Sequence, residues 1–220
     1  QISSVAALVG VYQGHQGHDE MTAGVRVRAA TECDISDLAY VLMSASGGVM
    51  EALYHELIPG QGAKQVIERL FSRAAASTAL ANCWVAECEG QVVGGLNAFS
   101  LALFDAEPPN PWLREDRQGL LTPFRALFND AGCEAGYYVR AVAVYSKFRG
   151  SGVGEALMAQ AHNDTRINRF SRTCLAVFAD NTPAVGFYRR LGYTEVARHP
   201  APKHRLMRYQ GDTLLLVREV

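Results

Sequence analysis

Arg149-Gly150-Ser151-Gly152-Val153-Gly154 places three glycines and an arginine where an apolar run, residues 137–145, passes into an amphipathic stretch, residues 155–167. The run reads as a strand and the stretch as a helix. A helix leaves its first four N–H groups without internal partners and carries the positive end of its macrodipole there. Glycines at that end let phosphate oxygens reach the backbone, and Arg149 adds a full charge, so the chemistry suggested is that of a pyrophosphate cradle. The spacing is neither the GxGxxG of dinucleotide folds nor the GxxxxGK[ST] of P-loops. Such a turn also serves simply to pack a helix tightly onto a sheet, and the hexapeptide alone leaves both readings open.

The elements around this turn alternate between strand and helix periods. Val25, Val27 and Ala29 alternate with Arg26 and Arg28 as a strand with one buried face. Thr31 can cap a following helix whose apolar stripe is Ile35, Leu38, Ala39 and Leu42, stopped by Gly47-Gly48. Further helices are expected over 49–57 and 63–76, then a hairpin of strands 84–88 and 92–99 around Glu89-Gly90-Gln91. Residues 105–116, with Pro108, Pro109, Pro111 and a net negative charge, read as an irregular loop, either a lid or a solvated linker. A short helix over 123–130 precedes the strand that feeds the glycine turn. After the long helix come a strand at 173–179, a helix at 182–191 ended by Gly192, and strands at 194–198 and 212–220.

A chain of 220 residues, 49% hydrophobic, can bury a full core, and with no repeat or internal linker residues 25–220 read as a single domain. Residues 1–24 stand apart. They lack a basic leader region, and Met21 is the natural first residue, so the segment reads as a leader, an upstream extension or an appended tail. His15 and His18 there read as solvated. A net charge of -1 gives no electrostatic case for nucleic acid or an anionic membrane surface. No apolar run approaches the roughly 20 residues that span a bilayer. The five cysteines (Cys33, Cys83, Cys88, Cys133, Cys174) are scattered without CxxC spacing, so reduced thiols in a cytoplasmic setting are expected and no metal site is. Cys174 reads as an inert core thiol.

The stretch 142–161 resembles the acetyl-CoA-binding motif of the GNAT superfamily of N-acetyltransferases. Its [RQ]xxGxG[GA] signature is met at Arg149, Gly152 and Gly154, with Glu155 departing from the small last residue. Residues 181–193 are similar to that superfamily's second block, NxxAxxFYxxxGF, at Asn181, Ala184, Phe187, Tyr188, Gly192 and Tyr193. The resemblance covers about 25–220, although 47–76 and 103–133 are longer than in a minimal member. It implies an α/β (α+β) fold: a mixed, mostly antiparallel sheet of six to seven strands, flanked by helices, in which two adjacent parallel strands splay to form an acetyl-CoA cleft. The backbone of Val142, Ala143 and Val144 would then pair with the pantetheine arm and turn an N–H toward the thioester oxygen. Arg149, Gly150, Ser151, Gly152, Val153, Gly154 and Glu155 would hold the pyrophosphate. Asn181 would bind the arm, and Tyr188 would give a proton to the departing thiolate. Read locally, Asn181 is also an N-cap and Phe187-Tyr188 a packed pair.

The implied chemistry is direct attack of an amine on the acetyl carbonyl with CoA thiolate leaving. A lysine-like amine, of pKa about 10.4, must first lose a proton, whereas a thiolate of pKa about 8.5 needs little help to leave. The superfamily's two glutamate positions fall at Tyr138 and Ala176 here. The base is therefore open among Tyr138, a water chain, and the 49–57 region with Glu51, Tyr54 and Glu56, where a solvated helix face is the plainer reading. Glutamates facing the cleft would favour a cationic acceptor; Arg140, on the face of Tyr138, favours one bearing a carboxylate. The leading expectation is an acetyl-CoA-dependent N-acetyltransferase acting on a primary amine of a small molecule, amino acid or peptide. Many relatives pair, so a homodimer is the matching expectation. A catalytically weak, regulatory CoA-binding module and a non-enzymatic α/β interaction domain are the alternatives.

Overall fold

A computed structural model describes residues 24–74, 76–107, 109–130 and 136–220. The expectations for the first 23 residues and for Cys133 lie outside them. Strand β1 (Val25–Ala29) sends Arg28 onto Asp34 in a two-pronged ion pair of 2.8 and 2.9 Å. Asp34 also accepts the Thr31 backbone N–H at 2.7 Å, which starts helix α1 (Ile35–Ala45). Gly47 and Gly48, with φ of 61° and 103°, turn the chain sharply into α2 (Val49–Tyr54). Helix α3 (Ala63–Leu70) stops short of residue 76, because the Thr78 hydroxyl and the Arg73 N–H both take the Leu70 carbonyl. Strands β2 (Cys83–Cys88) and β3 (Gln91–Ser100) form the expected hairpin. Its turn is two residues, Glu89 and Gly90, both with positive φ, rather than three.

The expected loop at 105–116 begins in α4 (Ala102–Ala106) and ends in α5 (Glu115–Gln118). Helix α6 (Thr122–Asp130) and strand β4 (Tyr137–Val144) lead to α7 (Val153–Ile167), which starts two residues earlier than its periodicity suggested. The remainder is β5 (Arg172–Phe178), α8 (Thr182–Arg190), β6 (Thr194–His199) and β7 (Thr213–Glu219). The seven strands form one sheet in the order β1-β2-β3-β4-β5-β7-β6. Only β4 and β5 run parallel. Helices α1 and α3 bury Leu38, Leu42, Val66 and Ile67 over one face; α7 buries Leu157, Met158 and Ala161 over the other. No helix among the described residues is long and apolar enough to cross a membrane.

Two irregularities open the sheet. Asn97 of β3 faces Ala141 while Ala98 faces Val139, so Arg140 is the extra residue of a β-bulge. The β4–β5 pairing runs only from Tyr137↔Thr173 to Val139↔Leu175. It stops where the bulge begins, although β5 stays paired with β7 to Phe178. Beyond Val139 the β5-facing edge of β4 therefore has no strand beside it.

Candidate active site

A cleft of about 590 Å³ fills the gap between the parted strands. Its first half is built mostly from backbone. Residues 142–144 present an unpaired edge there. The chain then enters α7 with Gly152 as N-cap, at φ 85° and with no side chain capping the helix. Gly150, at φ 77°, has open space where a Cβ would stand, so nothing covers the backbone at that point. A Cβ on Gly154, by contrast, would lie 3.2 Å from the Phe187 ring. Packing thus accounts for Gly154, while the position at Gly150 is left open to solvent. Arg149 is exposed and spends only its Nε, 3.3 Å from the Val144 carbonyl. The exposed Ser151 hydroxyl donates to the Phe148 carbonyl at 2.6 Å. An open strand edge running into an uncapped helix end fits an extended diamide arm that terminates in a diphosphate.

Asn181 does cap α8, accepting the Ala184 N–H at 3.4 Å; its amide nitrogen has no partner among the described residues, and the residue lines the cleft. Tyr188 packs against Phe187 and Tyr193, with ring centroids 5.3 and 5.8 Å away. Its hydroxyl donates to no described residue. Burial pushes that hydroxyl well above the usual tyrosine range, which keeps it protonated as a donor.

The second half of the cleft is built from side chains of distant segments. Tyr138 lies among Phe99, Phe104 and Phe128, and burial pushes its hydroxyl up to about 12 against the opposing charge of Arg140. The Arg140 guanidinium sits over the rings of Phe99 (4.6 Å) and Phe104 (5.3 Å), and burial lowers its pKa. It donates to the Ser77 hydroxyl, which donates to Glu107 at 2.5 Å, and Glu107 pairs with Arg73 at 3.3 Å. Val49, Met50, Phe124, Phe178 and Tyr209 supply an apolar wall. The segment between β6 and β7 reaches this wall by crossing the α1–α2 turn. A Cβ on Gly48 would collide with the Leu206 carbonyl, and one on Gly47 with Phe178 and Tyr209, so the glycine pair permits the crossing. The Arg208 N–H ties the two segments to the Gly47 carbonyl at 2.8 Å.

Tyr138, Val142, Ala143, Val144, Arg149, Gly150, Gly154, Glu155, Asn181 and Tyr188 line this one cleft, with Ser151, Gly152 and Val153 at the helix start beside it. Of the 49–57 region, Val49 and Met50 line it, whereas the candidates Glu51, Tyr54 and Glu56 do not. Glu51 pairs with Arg208 at 3.2 Å and lies 3.4 Å from the Ser46 hydroxyl. Glu56 is exposed, and the buried Tyr54 hydroxyl accepts from Asn110 at 2.8 Å. Phe124, Phe178, Tyr209 and Thr213 were not anticipated from sequence; Gly47-Gly48, read there only as a helix stop, was the available signal that two segments cross.

The sequence matches the acetyltransferase (GNAT) family model over residues 50–193. No curated protein matches it. Solved structures similar to it include an N-acetyltransferase from Staphylococcus aureus Mu50, with 20% identity, a TM-score of 0.62, and 88% of this chain and 100% of that chain covered. An apo agmatine N-acetyltransferase variant gives 16% and 0.61, covering 90% and 100%. A polyamine N-acetyltransferase from Drosophila melanogaster gives 15% and 0.60, covering 89% and 100%. At these identities the likeness is one of fold.

Proposed function

We propose, because the chain belongs to the GNAT acetyltransferase family, that it transfers the acetyl group of acetyl-CoA directly to a primary amine, with residues 25–220 acting as one unit. The observation that carries this reading is the free β4 edge running from the bulge into an uncapped glycine turn, with a tyrosine hydroxyl in the same cleft that has no partner among the described residues. Acetyl-CoA, when bound, supplies an activated acetyl thioester. Backbone groups of Val142, Ala143 and Val144 hold the arm, and an N–H of this stretch donates to the acetyl oxygen. The N–H groups of residues 150–154 and the Arg149 guanidinium hold the diphosphate. Tyr188 donates its proton to the sulfur. A protonated phenol is suited to that task, since a thiolate needs only a weak acid.

Among the described residues, Glu155 is the sole carboxylate lining the cleft, and it sits at the diphosphate end. The amine must lose its proton by other means. Removal from water and the nearby Arg140 charge both favour the neutral amine. Tyr138, held protonated by burial, can accept a hydrogen bond from the amine and orient it but does not take its proton, which leaves to water. Two measurements test the reading. Acetyl-CoA at about 100 times its Kd should stabilise the protein by about 2.7 kcal/mol, about 5–11 °C in Tm for a chain of this size. Free thiol should then appear when amines are added. Absence of any shift would sink the acetyl-CoA site. The missing carboxylate also favours a second reading, a regulatory CoA-binding module, which a clear shift without thiol release from any amine would establish.

A further inference from the structure

We propose that the acceptor carries a carboxylate beside its amine and an apolar body, that is, an amino acid with an apolar side chain, and that Arg140 selects it. The inference deepens the acetyltransfer reading and rests on it. Arg140 is the extra residue of the bulge, at the point where β4 and β5 part, and it lines the cleft. A guanidinium offers five N–H donors in a planar fork. Bonds to the described residues use one, to the Ser77 hydroxyl, while aromatic rings cover it. Its nearest acid in that network, Glu107, is reached only through Ser77 and is already paired with Arg73. A half-buried guanidinium, covered by rings and with donors to spare, is matched best by a planar anion held two-pronged.

The position of this charge fixes where the anion sits. Arg140 and Tyr138 share Phe99 and Phe104 as neighbours, and the next residues along the strand begin the free edge proposed to face the acetyl group. The carboxylate therefore falls close to the reacting amine, as in an α-amino acid. The acceptor half presents no carboxylate among the described residues, so a second cation on the acceptor would meet Arg140 without a counter-charge. Phe124, Phe178, Tyr209 and Met50 leave an apolar chamber for the rest of the molecule. In its wall the fully buried Thr213 hydroxyl has no partner among the described residues.

Pairs that differ only by the carboxylate test this directly: phenylalanine with phenethylamine, and arginine with agmatine. Thiol release gives kcat/KM, and calorimetry with CoA present gives binding without turnover. Each amino acid should exceed its decarboxylated partner by about tenfold or more in both readouts, and phenylalanine should exceed arginine. Arg140→Gln should bring the ratio within each pair close to one while acetyl-CoA affinity is kept. Amines equal to or better than the amino acids, or a preference that persists in folded Arg140→Gln, would overturn the proposal. If acetyl-CoA binds but no acceptor releases thiol, acetyl transfer fails, and calorimetry still decides the carboxylate. Should Arg140→Gln not fold, the wild-type pairs decide it alone.

Discussion

The two halves of the cleft offer different kinds of atoms to the ligands proposed for them. The diphosphate half is made of N–H groups at an uncapped helix end, an open position at Gly150 and an unpaired strand edge, all from the contiguous segment 142–154. The acceptor half is made of side chains from α2, α6, β4, β5 and the segment before β7, brought together by the Gly47-Gly48 crossing and the bulge at Arg140. Backbone recognition constrains which residues are tolerated, because only glycine leaves the peptide bare and takes the positive φ without steric cost. Side-chain recognition leaves the sequence free to change with the ligand.

The sharpest way to break this contrast is to place a charge on the bare backbone. Gly150 has room for a side chain and a φ that Asp and Asn tolerate better than other residues. Gly150→Asp should weaken acetyl-CoA by about 10²-fold, or about 2.7 kcal/mol, relative to Gly150→Asn, which has the same shape without the charge. Equal affinities by calorimetry would place the diphosphate elsewhere. The acceptor half is probed by pH. Tyr138 is pushed up to about 12 and Tyr188 further, so both stay protonated between pH 6 and 9 and neither supplies a rising limb. The rate at low acceptor concentration should therefore rise about tenfold per pH unit until the acceptor's own amine pKa is passed. With two acceptors of different amine pKa the inflection should move with the acceptor; one that stays fixed would reveal a base in the protein.

The same contrast governs what could be read from sequence. Arg149, Gly152 and Gly154 lie within six residues, and Asn181 and Tyr188 within eight, so local spacing carried the half proposed to hold the diphosphate and, with the strand and helix periods, the fold. Tyr209 and Phe178 meet only because a loop crosses a glycine pair more than 150 residues earlier in the chain, and no local period encodes that. Arg140 was visible as a charge in an apolar strand. Its bulge was not, because a bulge is a property of the pairing with β3. The end of α3 escaped for a similar reason: Thr78 competes for the Leu70 carbonyl from eight residues away.

Smaller effects separate chemistry from support. Tyr188→Phe keeps the ring packing against Phe187 and Tyr193 and removes only the hydroxyl proton. It should lower kcat about tenfold with acetyl-CoA Kd nearly unchanged, the modest size following from the low pKa of the leaving thiol. Restored rates with a more acidic leaving thiol would confirm the role; an unchanged kcat across pH would remove it.

Glu51→Gln should have the smallest effect. Glu51 meets Arg208 in a pair whose side chains are 27% and 50% exposed, and pairs of that kind contribute about 0.2–1 kcal/mol. Arg208 is held besides by its own N–H on the Gly47 carbonyl and by its guanidinium on the Met43 carbonyl, so the segment over the acceptor wall keeps its place without the carboxylate. The expected change in kcat/KM is under about threefold, with a loss in stability within the range of an exposed pair. A base would behave otherwise: its amide would cost about 10²-fold or more and erase a limb of the pH profile. That outcome would move the proton acceptor to α2 and require the helix to turn Glu51 from Arg208 into the cleft when the amine binds.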